Sequence, residues 1–132
     1  MITLCFEGWH PRPKNRSTGP KAAFAMRDEK ILVERVAKDT AKMLNVESAA
    51  KPMRVEIEIH KSKRGRVQDE DNLHHQKKVI LDGLSQPKGR KKVGASLIVD
   101  DSPEWVVCTI SEHFGTGFVG TVVTITEQEN GE

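Results

Sequence analysis

The chain is predicted to be an α+β domain, a mixed β-sheet carrying two main helices in the order β-α-β-α-β-β. Three observations give that expectation. Residues 53–60 alternate Met53, Val55, Ile57 and Ile59 with Arg54, Glu56, Glu58 and His60, the period of a half-buried strand. Residues 21–46 and 69–84 carry apolar side chains at helical spacing. The other apolar runs are short and bounded by Gly or Pro, so helices are expected to pack on a sheet. At 132 residues, one domain spanning 1–132 is the simplest organisation, and it can bury a core without disulfides.

The elements follow in order. Ile2, Leu4 and Phe6 belong to a first strand, where Thr3 and Cys5 take the intervening positions. Residues 8–20 form a loop stiffened by Pro11 and Pro13 and made positive by Arg12, Lys14 and Arg16. Along 21–46, Ala25, Leu32, Val36 and Met43 fall on one stripe, with Val33, Ala37 and Leu44 beside it. The strand at 53–60 runs into the basic loop Lys61, Lys63, Arg64 and Arg66. A second helix opens at 69–71 and ends near Leu84, where Gly83 and Pro87 stop it. A second basic connection holds Lys88, Arg90, Lys91 and Lys92. The apolar run Leu97-Ile98-Val99 leads into Asp100-Asp101. Strands at 104–111 and 117–126, separated by Thr116-Gly117, are expected to form a hairpin.

Charge is unevenly spread. Residues 51–95 hold twelve Lys/Arg against six Asp/Glu, whereas 96–132 hold seven acids and no Lys or Arg. The middle of the chain is therefore the expected polyanion-facing part, although charge runs also serve as solvated surface. Cys5 and Cys108, each among strand-forming residues, are expected to be buried thiols in a reducing compartment. No basic-then-apolar leader and no membrane-length apolar run is present, which gives a cytoplasmic expectation.

The chemistry concentrates in Asp69-Glu70-Asp71-Asn72-Leu73 and Asp100-Asp101. Gathered carboxylates repel one another, and a hard divalent cation with oxygen ligands relieves that repulsion. Capping of a helix N-terminus explains one acid here, and the macrodipole favours others, but three in a row exceed that need. Asp71, His75, Lys78 and Asp82 share one side of the second helix, so Lys78 either stabilises charge on a phosphate or pairs with Asp82. Other motifs fail. The acidic run lacks the glycine of an EF-hand loop, and no cysteine pairs or His-Glu-x-x-His suggest zinc. Ser85-Gln86-Pro87-Lys88 matches Ser-x-x-Lys without its companion motifs. Trp9 in a loop is the better base-stacking candidate, and Trp105 belongs to the core.

Asp69-x-Asp71-Asn72-Leu73, then Leu81-Asp82-Gly83-Leu84, then Asp100-Asp101, with Pro11, Pro13, Asn15 and Arg16 in the first loop, resemble the RusA family of Holliday-junction resolvases, common in phages and prophages. The resemblance covers nearly the whole chain in element order. It implies a homodimeric, magnesium-dependent endonuclease for branched DNA in recombination and repair, with manganese as an alternative ion. It implies Asp69, Asp71 and Asp101 as the essential aspartates and metal ligands, and Asp100 as their neighbour. The family's lysine maps to Lys78, with Lys77 beside it and His75 at the ungapped offset, because the run to Asp82 is longer here. Arg12, Lys14, Arg16, Lys61, Lys63, Arg64, Arg66, Lys88, Arg90, Lys91 and Lys92 would then hold DNA phosphates. The competing expectation is a non-catalytic DNA- or RNA-binding module in which the acids are caps and steering charges.

Overall fold

A computed structural model describes residues 1–12, 19–47, 50–87 and 93–128, with side chains of 19–25 left aside. Two helices and four strands follow one another as β1 (Ile2–Glu7), α1 (Gly19–Leu44), β2 (Met53–Lys61), α2 (Glu70–Leu84), β3 (Val106–Phe114) and β4 (Gly120–Glu127). The sheet order is β1-β4-β2-β3, with β4 antiparallel to both neighbours and β3 parallel to β2. This is the α+β mixed sheet with two helices that the residue patterns predict.

Alternation decides which strand residues face the helices. Ile2, Leu4 and Phe6 of β1, Val55, Ile57 and Ile59 of β2, and Val123 and Ile125 of β4 are buried, and their sequence neighbours are not. Val33 and Ala37 of α1 and Ile80, Leu81 and Leu84 of α2 close the same core. The two helices approach closely at Gly83, where an added Cβ would stand 2.6 Å from Val33 Cβ and 3.0 Å from the Lys30 carbonyl oxygen. The apolar stripe of α1 ends before its last turn. Met43 is 86% exposed and Leu44 54%, so neither joins the core.

The expected hairpin between the last two strands is not formed. β2 lies between β3 and β4, and β4 runs back along β1 and β2. Tight two-residue turns enforce hairpins, whereas the five residues from 115 to 119 can cross one intervening strand, a span of roughly 10 Å. The Gly115 amide donates to the Lys61 carbonyl (3.0 Å), which fastens the crossing to the end of β2. Burial favours this order, because Val123 and Ile125 are 0–1% exposed and need neighbours on both sides.

Residues 95–98 do not pair into the sheet. The Ala95 amide donates to the Gly83 carbonyl, and the Leu97 and Ile98 amides both donate to the Leu84 carbonyl. These bonds satisfy acceptors that the C-terminus of α2 would otherwise leave open. They also press Leu97 and Ile98 into the core and deliver Asp100 and Asp101 beside α2. Cys5 is exposed rather than buried, because β1 turns Ile2, Leu4 and Phe6 inward and its odd positions outward. No helix among the described residues is long and apolar enough to cross a membrane.

Candidate active site along helix α2

Asp69 is the N-cap of α2. Its extended backbone stops the helix, and Oδ1 accepts the Asn72 amide at 2.9 Å. Glu70 and Asp71 occupy the first turn and are exposed, where the helix dipole favours negative charge. Capping thus accounts for one oxygen of Asp69 and leaves the carboxylate of Asp71 facing solvent.

The loop leading into this cap is bracketed. The Lys61 ammonium donates to Glu112 Oε2 (2.5 Å) and to the Arg66 carbonyl (2.8 Å), and Glu112 Oε1 accepts the Gln68 amide (2.9 Å). Lys61 and Glu112 side chains are 12% and 7% exposed. Lys61 was expected to hold phosphates; its charge is instead spent on Glu112 and on fixing the loop. Lys63, Arg64 and Arg66 are exposed on that loop and free to face a polyanion.

A second anchored segment faces the same cap. The Trp9 carbonyl accepts from Thr121 Oγ1 (2.7 Å), and the Pro11 carbonyl accepts from Gln76 Nε2 (2.6 Å). The Arg12 amide donates to Glu29 Oε2 (2.8 Å). His10 Nε2 lies 2.8 Å from the His60 carbonyl and 3.1 Å from that of Gly120; both are acceptors, so this nitrogen carries the proton. Burial raises the pKa of Glu29, against the opposing pull of the Arg12 amide and guanidinium. Trp9 packs on Phe6 with ring centroids 5.1 Å apart and lies against the core while staying half-buried. Between this segment and α2 lies a cavity of about 930 Å³ whose walls include Arg12, Arg66, Asp69, Asn72 and Gln76.

Further along α2, a groove of about 460 Å³ separates the helix from β3. His74, Lys77, Lys78 and Leu81 line one side, and Asp101, Val106 and Cys108 the other. Asp101 therefore faces the groove that the middle of α2, Lys78 included, lines from the other side. Its pKa is raised by desolvation first, then by Asp100 and the charge of Asp82. Asp100 Oδ1 accepts the Asp101 amide (2.8 Å), which fixes the pair's geometry. Asp82 pairs with Lys30 of α1 at 3.0 Å. The Cys108 thiol is pushed up to about 12, chiefly by burial, so it stays protonated and unreactive.

Asp71 and Lys78 are seven residues apart, about 10 Å along the helix axis. Asp69 borders the cavity at the N-terminus, while Asp101 borders the groove toward the other end. Among the described residues, no three His, Cys, Asp or Glu side chains are grouped to hold a metal ion. The oxygen donors suit a hard divalent cation, but the described residues of the chain do not complete a cage. Lys14, Arg16, Lys88, Arg90, Lys91 and Lys92 lie outside the described residues.

Residue patterns pointed to the acids and the basic loops but missed Glu29, Gln76, His10 and Glu112. Glu29 and Gln76 do carry a signal, since each interrupts the apolar face of a helix. No family model, no curated protein and no solved structure matches this chain.

Proposed function

We propose that the chain is a magnesium-dependent endodeoxyribonuclease acting on four-way or related branched DNA, as its resemblance to the RusA family implies. The observation that carries this reading is the single face of α2. Asp71, His74 and Lys78 lie along it, Asp101 approaches it from the next segment, and a basic cavity adjoins its N-terminus. A divalent ion held by these carboxylates would activate water and stabilise the leaving oxygen. Lys78 would meet the negative charge growing on the phosphate. Arg12, Lys63, Arg64 and Arg66 would hold flanking phosphates, leaving Lys61 to hold the loop.

The separation of Asp71 from Asp101 within one chain favours a homodimer with shared sites. β3 ends the strand order, and its nine residues contain no Lys, Arg or Pro to discourage pairing. Antiparallel pairing of two such edges would join the sheets of two chains across a two-fold axis. Lys77 and Leu81 share a groove with Val106 and Cys108 at the start of β3, so α2 lies toward this edge. In such a dimer Asp71 would serve with the partner's Lys78 and Asp101, and a four-way junction offers matching symmetry.

A second reading is favoured by the absence of a three-ligand group among the described residues of one protomer: a non-catalytic DNA- or RNA-binding module. Synthetic four-way junctions incubated with Mg²⁺ or chelator separate the two. The nuclease reading expects paired nicks with Mg²⁺ alone, and an Asp71→Asn protein that binds without nicking. Tight binding with no nicks under either condition leaves the module.

A further inference from the structure

We infer that His60 and His113, paired across β2 and β3, chelate one divalent transition-metal ion, with zinc as the expected cation. The inference stands apart from the site along α2 and from any action on DNA. Neither histidine belongs to a zinc motif. The parallel register brings them together, setting His60 opposite His113 and Glu58 opposite Ser111. Ile57 and Ile59 of β2 point into the core, so Glu58 and His60 take the other face of the sheet.

The direction of the ring nitrogens carries the argument. His60 Nε2 lies 2.9 Å from Glu58 Oε1, and His113 Nε2 lies 2.9 Å from Ser111 Oγ. Both Nε2 atoms therefore lean toward the same rung of the ladder. The rings stack with centroids 4.9 Å apart and planes at 19°, and Phe118 packs edge-on against His60 at 5.5 Å. Zinc bonds imidazole nitrogen at about 2.0–2.1 Å, so two nitrogens on one ion stand roughly 3–4 Å apart. Stacked rings with their nitrogens on one side reach that spacing by tilting toward each other.

The far side of His60 suits a ligand. Its Nδ1 lies 2.9 Å from Thr116 Oγ1, whose own hydroxyl donates to the Phe118 carbonyl (3.5 Å). Thr116 thus accepts from an Nδ1–H, and that tautomer leaves a lone pair on Nε2. Metal-bound imidazoles characteristically donate their other ring N–H in this way. A lone pair on Nε2 facing an ionised Glu58 oxygen is repulsive until a proton or a metal ion sits beside it. Imidazole favours zinc, copper or nickel over magnesium. Two side-chain nitrogens are fewer than the three of a closed group, so water completes the coordination.

The test is isothermal titration of the chain with Zn²⁺ in excess Mg²⁺, which occupies carboxylate sites. One ion per chain should bind. His60→Gln and His113→Gln should each abolish that binding, and Thr116→Val should weaken it about tenfold through the lost tautomer support. The wild-type chain gives a reading that needs no variant: in ¹⁵N spectra the Nε2 signals of His60 and His113 should shift with Zn²⁺. No zinc binding in excess Mg²⁺, an affinity unchanged in any of the three variants, or shifts confined to His10, His74 and His75 overturns the inference.

Discussion

Replacing Glu112 by leucine should destabilise the protein far more than an ordinary strand substitution. Both oxygens of Glu112 are engaged, one by the Lys61 ammonium at 2.5 Å and one by the Gln68 amide at 2.9 Å. The side chains of the ion pair are 7% and 12% exposed, so solvent screens it weakly. Removing one member of such a pair leaves a desolvated charge and typically costs about 3–5 kcal/mol. The stranded Gln68 amide belongs to the same loss rather than adding fully to it. Against a total stability of roughly 5–15 kcal/mol for a domain, the effect should be plain in urea denaturation followed by circular dichroism. The double variant Lys61→Met/Glu112→Leu removes both charges and should regain most of the loss. A Glu112→Leu cost below about 1 kcal/mol, or a double variant as unstable as the single, would refute the reasoning.

Four other outcomes are expected. Gly83→Ala gains about 1 kcal/mol of helix propensity but forces a methyl against Val33 and the Lys30 carbonyl, so urea melts should show a net loss of about 1–2 kcal/mol. Glu29 has a folded pKa above its unfolded value; the stability it contributes is present in acid below the usual glutamate range and fades as pH rises through the folded value. Glu29→Gln should flatten that part of the stability–pH curve. At pH 8 a thiol reagent should label exposed Cys5 quickly, while Cys108, with a pKa of about 12, is thiolate in only about one molecule in ten thousand and should react on unfolding. Lys78→Ala should lower junction nicking by about 10²–10³-fold in single-turnover assays while leaving junction affinity within a few fold.

Most of the fold was legible because local patterns coincide with tertiary burial. The alternation through residues 53–60 is the buried face of β2, and Asp69 with Gly83 and Pro87 bounds α2 as expected. Strand order was not legible. Two strands separated by a glycine turn look alike whether they pair directly or flank a third, and only the competition for β2 decides. The far end of α1 misled for a related reason. Met43 and Leu44 continue an apolar stripe into the last turn of the helix, where both side chains are exposed.

The acids of the site were legible as residues but not as an arrangement. Asp69 and Asp71 announce themselves by spacing, and Asp101 by following an apolar run, yet nothing in the chain's order says that Asp101 faces the same groove as Lys78. That placement comes from residues 95–98 folding back onto the last carbonyls of α2. Likewise Lys61 reads as one more cation of a basic loop until Glu112, fifty-one residues later, claims its charge. Glu29 and Gln76 read as helix residues until their hydrogen bonds to the Pro11–Arg12 backbone identify them as anchors of the basic segment.

The central proposal is that Asp71 of one chain serves with Asp101 of another. Asp71→Asn and Asp101→Asn proteins, each expected to be inactive alone, should be co-refolded and assayed on four-way junctions with Mg²⁺. If sites are shared, half of randomly formed dimers are mixed and each carries one intact site, so nicking should return to about one quarter of the wild-type rate. With an affinity tag on one variant only, no recovery from a mixture in which the tagged chain pulls down its untagged partner would contradict the account.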